Sequence, residues 1–236
     1  MNSYMITGAT SGLGREFVFQ ILDEADALIL VSRDIKELEK LKKEIISIKS
    51  NIIIELFDVD LSQKDGAVNI IRKFEAQKNI TNVKVLLNSA ARFTVAPISL
   101  ITEEIFDQDF QLNVVTPFFL AKYFGELMAQ KGGGYIVNIG SSSAYGAAEH
   151  TSTYCITKHA LLGLSRSFQI EWRKFGVRSL FVAPGSMQTK MGEQVVGQDP
   201  ETFIDPKEAA SVIKDLIKYN GNMVADEVRL NRMNYR

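Results

Sequence analysis

Cysteine and histidine are scarce in this chain of 236 residues, which holds one cysteine and two histidines. A single cysteine, Cys155, excludes an intrachain disulfide. The histidines, His150 and His159, have no carboxylates at a spacing that would complete a metal site. We therefore expect neither a disulfide framework nor a metal centre.

An excess of charge is also lacking. The chain has 27 Lys and Arg against 28 Asp and Glu, a formal net charge of −1. This balance predicts no broad positive surface for nucleic acid or an anionic membrane. The one lysine-dense stretch, residues 36–49, also carries Glu37, Glu39 and Glu44. That mixture favours a solvated helix face with ion pairs between successive turns over a binding patch.

Long hydrophobic runs are absent as well. No uncharged apolar run approaches the roughly 20 residues that a membrane span needs. No charged segment followed by an apolar segment opens the chain, as a secretory signal would. We therefore expect a soluble, cytoplasmic protein with no membrane partner. The hydrophobic content of 46% is sufficient for a well-buried core, and we expect residues 1–236 to form one domain.

Segments with strand and helix patterns alternate along the chain. The apolar run 27–31 is typical of a strand covered on both faces, whereas apolar residues in 35–48 recur with helical spacing. Such alternation predicts an α/β fold, a doubly wound parallel sheet with helices on both faces. The predicted strands are 4–6, 27–31, 52–56, 83–87, 135–139 and 179–183; the predicted helices are 15–22, 35–48, 65–77, 103–130, 154–175 and 206–219.

A glycine-rich segment, residues 7–14, follows the first predicted strand and leads into a helix. In that context a glycine turn binds the phosphates of a dinucleotide. Gly8 permits a tight turn, Gly12 lets the backbone approach the pyrophosphate, and Gly14 permits close packing of the helix. The residues expected to bind the cofactor here are Gly8, Ser11, Gly12, Leu13 and Gly14.

A second motif follows the fifth predicted strand. Tyr154 and Lys158 are four residues apart, so both lie on one face of a helix. An ammonium group there stabilises a tyrosinate, which a phenol with a pKa of about 10 needs if it is to exchange protons near neutral pH. Ser141 lies 13 residues before Tyr154 and begins a run of three serines. Its spacing selects Ser141, although Ser143 is also a candidate to face a substrate.

The glycine segment, Ser141 and the Tyr154-x-x-x-Lys158 pair, in this order, resemble the short-chain dehydrogenase/reductase family over nearly the whole chain. The resemblance implies a Rossmann-like fold, a nicotinamide dinucleotide and interconversion of a small-molecule carbonyl and a secondary alcohol. It also implies a catalytic set of Asn113, Ser141, Tyr154 and Lys158. Tyr154 would exchange the proton, Ser141 would polarise the substrate oxygen, and Lys158 would lower the tyrosine pKa and bind the ribose.

Pro117 adds a physical clue about Asn113. Proline has no amide hydrogen, so the Asn113 carbonyl loses its usual helical donor and the helix is expected to kink. The resemblance implies that this carbonyl holds a water that relays protons below Lys158. The alternative is a kinked core helix without such a role.

The end of the second predicted strand indicates the cofactor. Ser32 and Arg33 stand where an enzyme that uses NAD places an acidic side chain. Arg33 offers a planar guanidinium group to a 2′-phosphate, so we expect NADP(H) in preference to NAD(H). Arg15 is a candidate to assist. Asp34 argues against this assignment, unless it caps the following helix.

The resemblance assigns the adenine contact to Asp60 and Leu61, which follow the third predicted strand. The alternatives are that Asp58 makes this contact, or that Asp60 only caps a helix. It assigns further cofactor contacts to Asn88, Ala90, Pro184, Gly185, Met187 and Thr189. Ser89 and Ala91 depart from the family's Asn-Asn-Ala-Gly pattern, which affects the local backbone rather than the fold.

Segment 190–205 lacks periodicity and follows the last cofactor motif, so it is either a surface loop or a substrate lid. Tyr145, Phe93 and Met191 either line an apolar substrate pocket or belong to the core. The resemblance implies a homodimer or homotetramer formed by segments 103–130 and 154–175. A catalytically silent nucleotide-binding regulator or scaffold is the main alternative function, and an isomerase or epimerase is a weaker one.

Overall fold

The computed structural model describes residues 1–195, 197–219 and 221–233. In these ranges the chain forms one parallel sheet of seven strands in the order β3-β2-β1-β4-β5-β6-β7. The strands are β1 (Ser3–Thr7), β2 (Ala27–Ser32), β3 (Ile53–Asp58), β4 (Val85–Asn88), β5 (Gly134–Ile139), β6 (Val177–Pro184) and β7 (Glu227–Leu230).

Seven α-helices are described around this sheet. They are α1 (Gly12–Gln20), α2 (Ile35–Ile48), α3 (Gly66–Ala76), α4 (Glu103–Phe110), α5 (Thr116–Gln130), α6 (Ser152–Trp172) and α7 (Pro206–Leu216). No helix in the described ranges combines the length and apolar composition that a bilayer span requires.

Two hydrophobic cores lie on the two faces of the sheet. Side chains alternate along each strand, so Tyr4 and Ile6 of β1 join the core formed with α1, α2 and α7. Met5, between them, joins the core formed with α3, α5 and α6. Both cores contain apolar residues of central strands, which explains why these strands lack polar alternation. The predicted doubly wound α/β fold in one domain is confirmed.

The predicted helical stretch over 103–130 is helical throughout, and the irregularity expected near Pro117 divides it into three parts. Helix α4 ends at Phe110, a π-helical turn covers Gln111–Val115, and α5 begins at Thr116. In the π turn, the Thr116 amide donates to the Gln111 carbonyl, five residues back. Pro117 lies in the first turn of α5, where its missing amide hydrogen costs least. The expected irregularity therefore takes the form of a π turn that contains Asn113.

Two smaller differences concern the ends of the chain. Helix α1 begins at Gly12 instead of residue 15, because the glycine turn runs directly into its first turn. Strand β7 at the sheet edge is not among the predicted strands, since Glu227–Leu230 alternates charged and apolar residues over only four positions. It pairs with β6 from Phe181 to Pro184 and closes the sheet on that side.

Candidate active site

A cleft of about 1450 Å³ lies at the carboxyl ends of the strands. The strand order reverses direction at β1, and that switch point opens a crevice in a doubly wound sheet. Most of the predicted site residues line the cleft: Gly8, Ser11, Gly12, Leu13, Ser32, Arg33, Asp60, Leu61, Ala90, Ser141, Tyr154, Lys158, Pro184, Gly185, Met187 and Thr189. Gly14, Asn88 and Asn113 are not among its lining residues.

The glycine turn has the backbone that a phosphate cradle requires. Gly8 and Gly12 adopt φ angles of 67° and 51°, which favour glycine. A side chain at Gly8 would meet the Ala90 backbone at 3.0 Å, and one at Gly14 would overlap the Gly8 carbonyl. Helix α1 starts at Gly12 with its amino end at the cleft. Free amide groups and the helix dipole there suit an anionic pyrophosphate.

The side chains at the end of β2 suit a 2′-phosphate. Arg33 is exposed and lines the cleft, and Ser32 shares a hydrogen bond with Thr10 at 3.0 Å. Asp34 accepts from the Lys36 and Glu37 amides, so this carboxylate caps α2. Arg15 is not a cleft-lining residue and pairs with a carboxylate of α2.

Asp60, rather than Asp58, faces the cleft after β3. Asp60 accepts from the amide and hydroxyl of Ser62 at 3.0 and 2.7 Å. Burial alone would raise the pKa of Asp60, but these hydrogen bonds outweigh it and hold the pKa below its usual value. Asp58 instead pairs with Lys73 at 2.8 Å. The geometry therefore favours Asp60 over Asp58 as an adenine contact.

Ser141 and Tyr154 lie close together in the wall of the cleft. Ser141 follows β5, and its hydroxyl accepts from the Ser143 amide at 3.1 Å. Tyr154 lies in the first turn of α6 with its ring against Phe93, 4.7 Å between centroids. Burial raises the pKa of Tyr154 to about 12, and a hydrogen bond with Ser141 offsets part of that rise. Tyr154 therefore holds its proton at neutral pH in the protein alone.

Lys158 is buried one turn further along α6. Its ammonium group donates to the Ile139 carbonyl at 2.8 Å and lies 5.4 Å from the centroid of the Tyr154 ring. Burial lowers the pKa of Lys158 to about 7. The expectation that Lys158 lowers the pKa of Tyr154 is not met in the protein alone, because burial acts on each group more strongly than any attraction between them.

Asn113 is held by its side chain. Its amide oxygen accepts from the Arg92 backbone amide at 2.9 Å, and its nitrogen donates to the Arg92 carbonyl at 2.9 Å and to Thr157 at 3.1 Å. Thr157 immediately precedes Lys158. Asn113 therefore supports α6 from behind the wall of the cleft.

Asn88 and Gly14 also lie behind the residues that line the cleft. Asn88 donates to Asn138 at 2.9 Å across β4 and β5, which joins the two strand ends. Thr7, which the sequence patterns do not single out, accepts from the Ser89 and Ala90 amides at 3.0 and 3.1 Å. A hydroxyl residue directly before the first glycine was the only available signal for this role.

Of the three candidates for an apolar substrate pocket, two line the cleft and one does not. Phe93 and Met191 line the cleft. Tyr145 does not, because its ring packs against Phe181 and its hydroxyl donates to Glu227 at 3.0 Å. The assignment of Tyr145 to the substrate pocket is therefore not supported.

The described part of segment 190–205, which leaves out residue 196, borders the cleft on one side. It contains two short 3-10 helices, Gly192–Gln194 and Pro200–Thr202. A parallel bridge between Met187 and Ile204 ties its two ends together. A segment closed at its base and lining the cleft with Met191 and Gln194 has the placement of a lid.

Comparison with known proteins agrees with this geometry. Residues 2–200 match the family model for short chain dehydrogenases. An uncharacterized oxidoreductase of Thermotoga maritima is 32% identical over 202 residues, which cover 85% of this chain and 78% of that protein. The NAD-dependent glycerol dehydrogenase of Listeria innocua is 25% identical over 94% of this chain and 89% of its own length.

Among solved structures, the alcohol dehydrogenase of the archaeon Thermococcus sibiricus, complexed with 5-hydroxy-NADP, superposes with a TM-score of 0.87. It is 23% identical, and the match covers 100% of this chain and 98% of that one. This likeness establishes the fold. The family match over residues 2–200 and the Thermotoga relative establish the lineage, and the chain belongs to the short-chain dehydrogenase/reductase family of oxidoreductases.

Proposed function

We propose that the protein is an NADP(H)-dependent oxidoreductase that interconverts a carbonyl group and a secondary alcohol. The observation that carries this proposal is that Ser141, Tyr154 and Lys158 line the same cleft as the glycine turn and Arg33. An acid/base group, a hydrogen-bond donor for an oxyanion and a dinucleotide cradle are the parts that hydride transfer needs.

The nicotinamide, when bound, supplies or accepts the hydride. Ser141 holds the substrate oxygen and polarises it, and Tyr154 gives that oxygen a proton during reduction. The pKa of about 12 keeps Tyr154 protonated at neutral pH, which suits a general acid. Lys158 would bind the ribose, and the Met187 backbone and Thr189 hydroxyl would hold the carboxamide, since all three residues line the cleft. A protonated Tyr154 therefore favours reduction as the direction of the proposed reaction.

The preference for NADP(H) rests on Arg33 and Ser32. An exposed guanidinium group at the end of β2 would offer a 2′-phosphate two parallel hydrogen bonds, and the neighbouring Asp34 is occupied in capping α2. The Listeria relative is NAD-dependent, whereas the Thermococcus enzyme was crystallised with an NADP derivative. Family membership alone therefore does not decide the cofactor, and the residue at this position carries the argument.

We further propose a homodimer or homotetramer that acts in the cytoplasm, with segment 190–205 as a substrate lid. Apolar side chains on α5 and α6 support the oligomer, because Phe118, Phe119, Ile156 and Ile170 are 41%, 47%, 47% and 69% exposed. Exposed apolar groups of this size on adjacent helices are typical of a contact surface. A catalytically silent nucleotide-binding regulator remains the alternative, and it has no need for the Ser141, Tyr154 and Lys158 set.

Consumption of NADPH against a broad panel of aldehydes and ketones, with NADH in parallel, tests the proposal. Tyr154→Phe should lower kcat by about 10²- to 10⁴-fold, the contribution of general acid catalysis. Tyr145→Phe is the matched control, because Tyr145 loses an equivalent hydroxyl outside the cleft. NADPH binding without turnover of any carbonyl would favour the silent regulator.

A further inference from the structure

Asp109 is a fully buried carboxylate that the proposed chemistry does not use. It lies on α4, is 0% exposed, and does not line the cleft. Removing a carboxylate from water costs several kcal/mol unless hydrogen bonds or a cation compensate. The hydrogen-bond and ion-pair partners of Asp109 offset this cost, and they show which parts of the protein the carboxylate connects.

Three groups surround this carboxylate. Thr153 donates to one oxygen of Asp109 at 2.6 Å, and Thr94 donates to the other at 2.9 Å. The Arg92 guanidinium lies 3.1 Å from that second oxygen. The ion pair is half-buried, because the Arg92 side chain is 39% exposed and lines the cleft.

Each partner belongs to a segment that contacts the catalytic tyrosine. Thr153 immediately precedes Tyr154 at the start of α6. Arg92 and Thr94 flank Phe93, whose ring packs edge-on against the Tyr154 ring at 4.7 Å. One carboxylate therefore joins the backbone that carries Tyr154 to the loop that contacts its ring.

Asn113 makes a matching connection one turn away. It lies four residues after Asp109, and it contacts Thr157, four residues after Thr153. Thr157 precedes Lys158 just as Thr153 precedes Tyr154. Two attachments one turn apart on the same helix face oppose both rotation and sliding of α6.

We propose that Asp109 is a positioning residue, which works through Thr153 to set the rotation of α6 and thereby the placement of Tyr154 and Lys158. It is not a catalytic residue, because it does not reach the cleft. The inference rests on the proposed function, since it assigns the geometry of that acid/base pair. Proton transfer depends on this geometry, and a misplacement of about 1 Å is enough to lower a rate by about 10²-fold.

Thr153→Val tests the proposal, because valine keeps the volume of threonine and removes the hydroxyl donor. We expect kcat to fall by about 10- to 100-fold with little change in the KM of the carbonyl. NADPH affinity, measured by nucleotide fluorescence, should weaken by about 3- to 10-fold, since Lys158 moves with Tyr154 and its hydrogen bond to the ribose weakens. Thr153→Ser restores the hydroxyl and should restore both quantities.

Ser165→Ala is the matched control. Ser165 is buried on the same helix, about three turns beyond Tyr154, and is hydrogen-bonded to Ser179 at 2.9 Å and to Asn138 at 3.3 Å. Asp109→Asn is a second probe of the carboxylate, because asparagine has one acceptor oxygen and cannot accept from Thr153 on one side and from Thr94 and Arg92 on the other. The melting temperature of every variant is recorded to separate folding from placement.

The proposal is overturned if Thr153→Val and Asp109→Asn lower only the melting temperature. In that case their kcat and NADPH affinity would stay within about twofold of the values for Ser165→Ala, and the role of Asp109 would be purely structural. A wild-type protein that turns over no carbonyl would defeat the proposed function alone. In that case the NADPH measurements on the same variants still decide whether Asp109 sets the position of α6.

Discussion

The ammonium group of Lys158 donates to the Ile139 carbonyl oxygen at 2.8 Å, at the point where β5 ends. This contact keeps the lysine inside the protein, next to Tyr154 and away from water. Burial lowers the pKa of Lys158 to about 7, from an ordinary value of 10.5. The lysine is therefore a group in the cleft whose charge changes near physiological pH.

Stability should depend on pH through this lysine. Between pH 7 and 10 the unfolded chain holds the Lys158 proton while the folded protein has released it, so the unfolded state binds more protons. The free energy of unfolding therefore rises with pH in this window, by up to about 5 kcal/mol for Lys158 alone. Urea denaturation of wild type and Lys158→Met at pH 7.0 and 9.5 measures the difference. An identical pH dependence in both proteins would show that Lys158 is charged in the folded state at neutral pH.

Cofactor choice should respond to Arg33. Replacement by Asp removes the guanidinium group and puts a carboxylate beside the 2′-phosphate, so NADPH binding should weaken by at least about 10-fold while NADH binding is spared. Arg72→Asp makes the same change of charge on the exposed side of α3 and serves as the control. Equal losses of NADPH and NADH affinity in Arg33→Asp would contradict the assignment. Fluorescence titration with each nucleotide provides the affinities.

The glycine turn should not tolerate a methyl group at Gly14. An alanine side chain there would overlap the Gly8 carbonyl, so we expect the variant to lose about 1–3 kcal/mol of stability, the usual cost of overpacking. NADPH binding should weaken too, because the turn shifts away from the phosphates. Gly221→Ala, which meets nothing within 4 Å, should change neither quantity. Unaltered denaturation and binding in Gly14→Ala would mean that the turn is not the cradle.

Subunit association should depend on the apolar faces of α5 and α6. Ile170 is 69% exposed on α6, and a charge there would be buried without a partner in an oligomer. Ile170→Asp should therefore reduce the molar mass measured by light scattering after size-exclusion chromatography. Ile48→Asp, at a 65% exposed site on α2, controls for the added charge. An Ile170→Asp variant with the wild-type molar mass would mean that the subunit contact lies elsewhere. A monomeric wild-type protein would mean that there is no such contact.

Local patterns in the sequence were sufficient for the fold and for most of the cleft. The apolar runs of the central strands, the glycines of residues 7–14 and the spacing of Tyr154 and Lys158 all depend on neighbours in the chain. Helical geometry alone places two residues four apart on one face. Strand β7 was not predicted, because its four residues contain no apolar run and form a strand by pairing with β6.

Contacts between distant residues were decided only by the tertiary structure. Asp109 and Thr153 are separated by 44 positions, and nothing in either segment predicts that α4 packs its carboxylate against the start of α6. The same holds for the hydrogen bonds between the Arg92 backbone and Asn113, which lies in the π turn. The pKa values of Tyr154 and Lys158 belong to this class as well, since they are set by burial. Sequence spacing determined which groups could form the acid/base pair, and packing determined their protonation, because desolvation depends on everything that surrounds a group in space.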